Sequence, residues 1–155
     1  VYDPSREEWF TALRGGGAWL NEEPIHVSDT DRMTEALLAT GFPYDVKESP
    51  ENNLNHFQNF MVRAQAVRRP GVASIDLAYV AAGRLDGFWE FKLKPWDIAA
   101  GALLVSEAGG TITDFRGGPL DLFRAEIVAS NGLIHHAMLQ ILALADSDTG
   151  PPGRR

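Results

Sequence analysis

Lys94-Pro95-Trp96-Asp97-Ile98-Ala99-Ala100-Gly101-Ala102-Leu103-Leu104-Val105-Ser106-Glu107-Ala108-Gly109-Gly110 decides how this chain reads. Past its start, small apolar residues run without a break. Gly109 is the expected stop, because glycine takes a left-handed helix end at little steric cost. One carboxylate, Asp97, stands at the helix entrance. A carboxylate there can cap a helix, and it can also hold a hard cation. For an isolated Asp the capping role is the more common one.

Outward from this helix the pattern alternates. Gly87-Phe88-Trp89-Glu90-Phe91 reads as an aromatic strand before it, and Thr111 to Phe115 and Ile127 to Ser130 as strands after it, parted by the turn Gly117-Gly118-Pro119. Ala36 to Gly41 is a short apolar run, read as a buried strand. Leu54, Phe57, Met61 and Ala64 fall at helical spacing. Gln65 to Arg68 is a strand, Ser74 to Ala82 a helix stopped at Gly83, and Leu133 to Leu144 the last helix. Alternating strands and helices predict an α/β layered domain over residues 30–145. Residues 1–29 read differently, as a meander of short strands broken by Asp3-Pro4-Ser5-Arg6, Gly15-Gly16-Gly17 and Asn21-Glu22-Glu23. Alone, such a meander leaves open edges, so it is expected to belong to a larger sheet whose other strands lie upstream. Residues 146–155, with Pro151-Pro152 and few apolar groups, are expected to be a disordered tail.

Composition narrows the function. A chain of 155 residues with 45% apolar and 23% charged residues has material for one cored domain. Without cysteine it has no disulfide, zinc-thiolate site or thiol nucleophile. No apolar run is long enough to span a membrane. The start at Val1, with no signal peptide, is expected of a piece of a longer cytoplasmic protein. The net charge of −7 disfavours a nucleic-acid partner, the local basic groups being Arg63, Arg68, Arg69 and Arg154-Arg155. So acidic a protein would benefit from a cation if its substrate were an anion.

The run from Lys94 to Gly110 closely resembles the second signature of the inositol monophosphatase family, in which Trp-Asp opens a helix ending in Glu-Ala-Gly-Gly. Leu77-Ala78-Tyr79-Val80-Ala81-Ala82-Gly83 resembles its bacterial members. The resemblance runs from Val1 to about Leu144. It implies the carboxyl-terminal part of a layered α/β/α/β/α sandwich, found in homodimeric phosphatases that use magnesium to hydrolyse phosphate monoesters. It also implies roles for particular residues. Asp97 would be a Mg2+ ligand. Glu90, seven residues earlier, would accept hydrogen bonds from substrate hydroxyls. Gly71-Val72-Ala73 would turn backbone amides toward the substrate, with Val72 replacing a common Ser or Thr. The partner signature, Asp-Pro-(apolar)-Asp-Gly-Thr, does not occur here, so the chain alone is expected to be inactive.

Other features carry less. Gly41-Phe42 follows a strand where the family lines its pocket, but packing accounts for it. Asp76 and Asp86 are read as structural, Asp76 through a hydrogen bond from its helix to a neighbouring element. Glu107 lies about 15 Å along the helix from Asp97, too far to share a metal. There is no Walker loop and no Gly-x-Ser-x-Gly elbow, and the glycines at 15–17 lack a following helix. His26, His56, His135 and His136 lack metal-binding spacing. Substrates within reach are inositol monophosphate or a similar polyol phosphate; relatives acting on histidinol phosphate, fructose bisphosphate or a 3′-phosphonucleotide share the signature. A non-catalytic interaction protein is the alternative from another class, because some bacterial members bind transcription machinery and Arg63, Arg68 and Arg69 offer a contact or dimer surface.

Overall fold

Period-two alternation in Glu8–Leu13 buries Phe10 and leaves Trp9, Thr11 and Leu13 in solvent. This strand, β2, pairs antiparallel with β1 (Tyr2–Asp3) and β3 (Gly17–Leu20), and β3 pairs with β4 (Glu23–Pro24). The computed structural model describes residues 1–124 and 126–147. Within them a second sheet has the order β6-β5-β7-β9-β8. Its members are β5 (Leu37–Thr40), β6 (Ala66–Arg68), β7 (Gly87–Phe91), β8 (Thr111–Thr113) and β9 (Glu126–Ser130). Strand β5 runs parallel to β6 and β7, while β9 runs antiparallel to β7 and β8.

Helices fill the gaps. Helices α2 (Ala73–Ala81) and α3 (Pro95–Glu107) lie between the sheets, and α1 (Leu54–Met61) and α4 (His135–Ser147) cover the far face of the second sheet. The result is four successive layers: sheet, helices, sheet, helices. Alternation along the second sheet divides the core between its two faces. Ala39, Phe88, Ile127 and Ala129 join Phe10, Leu77 and Ile98 on the inner side. Leu38, Trp89 and Val128 join Phe60, Ile134 and Met138 on the outer side. Gly101 lets α2 and α3 approach closely, since a Cβ there would lie 2.5 Å from that of Leu77.

Several boundaries differ from the sequence expectation for identifiable reasons. Strand β8 ends at Thr113, not Phe115, because the Asp114 carboxylate takes the N–H groups of Arg116 (2.9 Å) and Gly118 (2.7 Å) and turns the chain. Helix α4 starts at His135, not Leu133. Asn131 Oδ1 accepts the Leu133 and Ile134 N–H groups, and Gly132 stands at φ +87°. The same helix continues to Ser147, so residues 146 and 147 of the expected tail are helical. The rest of that tail, 148–155, lies outside the described residues.

Candidate functional site

Strands β5, β6 and β7 share one direction, so their carboxyl ends share one edge of the sheet. Gly41 follows β5, Arg69 to Ala73 follow β6, and Phe91 to Asp97 follow β7. Open α/β sheets place ligands at such an edge. A cleft of about 390 Å³ lies there, lined by Gly41, Arg69, Gly71, Val72, Ala73, Glu90, Lys92 and Asp97, among others. The structure therefore brings all five sequence-selected residues into one cavity. A larger cleft, of about 460 Å³ beside His56, Arg116 and Arg124, contains none of them. The smaller one is the candidate site because both helices of the inner layer begin at it. Their unpaired N–H groups and dipoles favour an anion.

Asp97 is the third residue of α3, with Lys94 as the N-cap, so the expectation that it stands at the helix entrance is refined by three positions. Its Oδ2 accepts the Lys94 N–H at 2.8 Å. The carboxylate thus caps the first turn with one oxygen, while Oδ1 makes no hydrogen bond among the described residues. The capping and metal-binding roles are compatible. A divalent cation such as Mg2+ needs several oxygen ligands. Asp97 fits as one of them, but the described residues contain no group of three His, Cys, Asp or Glu side chains placed to hold a metal.

Glu90 shares the face of β7 that carries Phe88, so it points at the inner helix layer. It is 9% exposed. Its carboxylate lies over the Cα of Gly41, where a Cβ would collide with it. Gly41 is thus both packed and part of the cleft. Burial, and secondarily the charge of Asp76, pushes the Glu90 carboxyl up to about 7, against the pull of Arg69. Gly71 stands at φ +95°, and Val72 precedes the first turn of α2, so the backbone of 71–73 opens into the cleft without a side-chain hydroxyl. Val72 is exposed.

Two features escaped the sequence reading. Asp76, in the first turn of α2, is 1% exposed, and neither carboxylate oxygen has a hydrogen-bond partner. Burial raises its carboxyl to about 7. The expected hydrogen bond to a neighbouring element is absent. The apolar neighbours Ile75, Leu77 and Ala78 were the available signal. Glu107, distant from Asp97 as expected, holds the glycine turn: it accepts the N–H groups of Gly15 (2.8 Å) and Gly17 (3.0 Å). Asp86 is structural, accepting from Ser28 Oγ (2.5 Å) and the Leu37 N–H (2.6 Å).

Comparison with known proteins agrees with this fold. The sequence pattern of the Inositol monophosphatase family matches residues 1–147. An inositol-1-monophosphatase from Synechocystis is 48% identical over 92% of this chain and 50% of its own length. A Pseudomonas aeruginosa protein named Nus factor SuhB is 50% identical over 90% of the chain and 52% of its own. The structure of an inositol monophosphatase from Anabaena superposes with a TM-score of 0.91 at 44% identity, covering 93% of this chain and 57% of that one. The chain therefore spans about half the length of the curated relatives it matches. No helix among the described residues is long and apolar enough to cross a membrane. With the family pattern covering nearly all of its residues, the chain belongs to the inositol monophosphatase family.

Proposed function

We propose that this chain is the carboxyl-terminal part of a magnesium-dependent phosphatase acting on inositol monophosphate or a similar polyol or sugar phosphate, in the cytoplasm and as a homodimer. The observation that carries the reading is the convergence of Asp97, Glu90 and two helix N-termini on one cleft. Magnesium bound at such a site polarises the phosphoryl group and activates a water. Asp97 supplies one oxygen to that ion while its other oxygen keeps α3 capped. The start of α2 directs backbone N–H groups at the anionic substrate. Ionised Glu90 accepts hydrogen bonds from polyol hydroxyls and is held in place by Gly41.

In this reading the remaining metal ligands come from outside these 155 residues, and the chain by itself is inactive. The test is phosphate release from inositol 1-phosphate, with and without Mg2+, by the full-length protein and its Asp97→Asn variant. Turnover that needs neither the cation nor Asp97 would sink the reading. Parallel assays on histidinol phosphate, fructose bisphosphate and a 3′-phosphonucleotide decide among substrates.

A second reading rests on the relative named Nus factor SuhB, half of whose aligned residues are shared. In it the exposed Arg63, Arg68 and Arg69 form a contact surface for a protein or nucleic-acid partner. The acidic net charge does not exclude such a surface. Retention of partner binding by an inactive Asp97→Asn protein would favour it.

A further inference from the structure

Lys92 stands at φ +60°, a left-handed backbone that a long side chain seldom adopts. It follows directly on β7 and lines the cleft. Such strain persists only where surrounding structure holds a residue in place, and it gathers at ligand sites. The hold on Lys92 comes through its own side chain. Its Nζ donates to Asp45 Oδ2 at 2.8 Å and to Ser49 Oγ at 2.9 Å, and lies 6.0 Å from the Phe91 ring centroid.

Asp45 and Ser49 belong to a segment, residues 43–49, that is otherwise held by its own turns. Val46 N–H donates to Pro43 C=O, and the Glu48 and Ser49 N–H groups donate to Asp45 C=O. Among the described residues, its hydrogen bonds to the sheet region are those of Lys92. Pro43 and Tyr44, from the same segment, form part of the cleft wall. A fully exposed lysine pair would contribute little. This side chain is 31% exposed and has two acceptors. The second oxygen of Asp45 is buried with no partner while its side chain as a whole is 45% exposed, so the ammonium fixes the position of a partly solvated carboxylate.

We propose that Lys92 is a positioning residue that latches residues 43–49 as a fixed wall of the cleft, and so limits the size of the phosphate monoester admitted. The latch itself is independent of the phosphatase reading; only the nature of the ligand rests on it.

Amide hydrogen exchange on the full-length protein tests the latch. Lys92→Met keeps the length and the strained backbone but removes the charge, whereas Lys92→Gly removes the side chain and relieves the backbone. Both are expected to speed exchange across 43–49 by about tenfold, leaving β5 and β7 unchanged. Asp45→Asn should match them and add nothing to Lys92→Met. Lys92→Gly should melt no lower than wild type, which separates unlatching from misfolding. Exchange that stays at the wild-type rate in both Lys92 variants overturns the latch. In steady-state assays, Lys92→Met should lower KM for bulky phosphate monoesters relative to small ones by several-fold, whereas a merely structural role would change both KM values alike. An open segment with an unchanged KM ratio overturns its role as a size limit. A wild-type protein with no phosphatase activity would refute the phosphatase reading, while the exchange result would still decide the latch.

Discussion

Gly41 and Glu90 occupy one space between them: a Cβ on residue 41 would collide with the Glu90 carboxylate. The two residues sit at the carboxyl ends of neighbouring parallel strands, so the clash has little backbone slack to relax into. Gly41→Ala should therefore displace the carboxylate into the cleft. The expected cost is about 1–3 kcal/mol of stability, typical of overpacking. In the full-length enzyme KM should rise by about tenfold, the equivalent of one lost charged hydrogen bond. Urea unfolding and steady-state kinetics check the two parts. A variant with wild-type values in both would show that Glu90 is not held by this contact.

Asp76 makes stability depend on pH in the direction opposite to a salt-bridged carboxylate. Its carboxyl is raised from 3.8 to about 7, so between these values the folded chain binds more protons than the unfolded one. Stability is fully present below the unfolded value and falls as pH rises through the folded one. Glu90, also raised to about 7, adds to the same slope. Asp76→Asn removes its share. Relative to wild type, the variant should gain about 1–3 kcal/mol between pH 5 and pH 8, well under the full shift at 1.36 kcal/mol per unit. Urea midpoints at the two pH values test this. Parallel loss in both proteins would contradict an uncompensated Asp76.

His135 acts on the acid side. Its ring bridges Thr113 Oγ1 (3.0 Å) and Ser130 Oγ (2.9 Å) beneath the start of α4, and burial lowers its basicity. The unfolded chain therefore takes up the proton first. This contribution is complete above the unfolded value of 6.5 and is lost as pH falls below it toward the depressed folded value. His135→Gln should be less stable than wild type at pH 7.5, and the gap should narrow toward pH 5. Thermal unfolding across this range gives the readout, and a gap that widens with acid would refute the assignment.

The alternation of layers was legible from local signals, whereas Glu90 and the Gly71–Ala73 turn were singled out through the family resemblance alone. Phe88 and Trp89 alternate between two cores, and Trp96-Asp97 opens a helix whose glycine end is visible in the sequence. What remained hidden depends on distant partners. Nothing local marks Lys92 as left-handed, because its conformation is held by Asp45 and Ser49, more than forty residues away. The missing partners of Asp76 follow from the packing of α2 against its neighbours, which residue type alone does not reveal. Asp97, singled out at the helix entrance, needed the structure to show that one oxygen caps the helix while the other makes no hydrogen bond among the described residues.

Glu107 was set aside as too far from Asp97 to share its chemistry, and the structure assigns it different work. It accepts two backbone N–H groups from the glycine turn between β2 and β3, which tethers the first sheet to the end of α3. These bonds lower the pKa of its carboxyl below the ordinary value, as hydrogen bonds to an ionised acceptor do. The tether is exposed, so its effect should be local. Glu107→Ala is expected to speed amide exchange at Gly15 and Gly17 while leaving Val105 and Ile98 in the helix protected. The acid dependence supplies a second check. The group's folded value is depressed, so the protection is present above the unfolded value of 4.5 and lost as pH falls through the folded one. Exchange at Gly15 and Gly17, corrected for its intrinsic pH dependence, should therefore rise in strong acid in the wild type but not in Glu107→Ala. Equal protection of the two glycines in both proteins at neutral pH would show that the turn holds itself without the carboxylate.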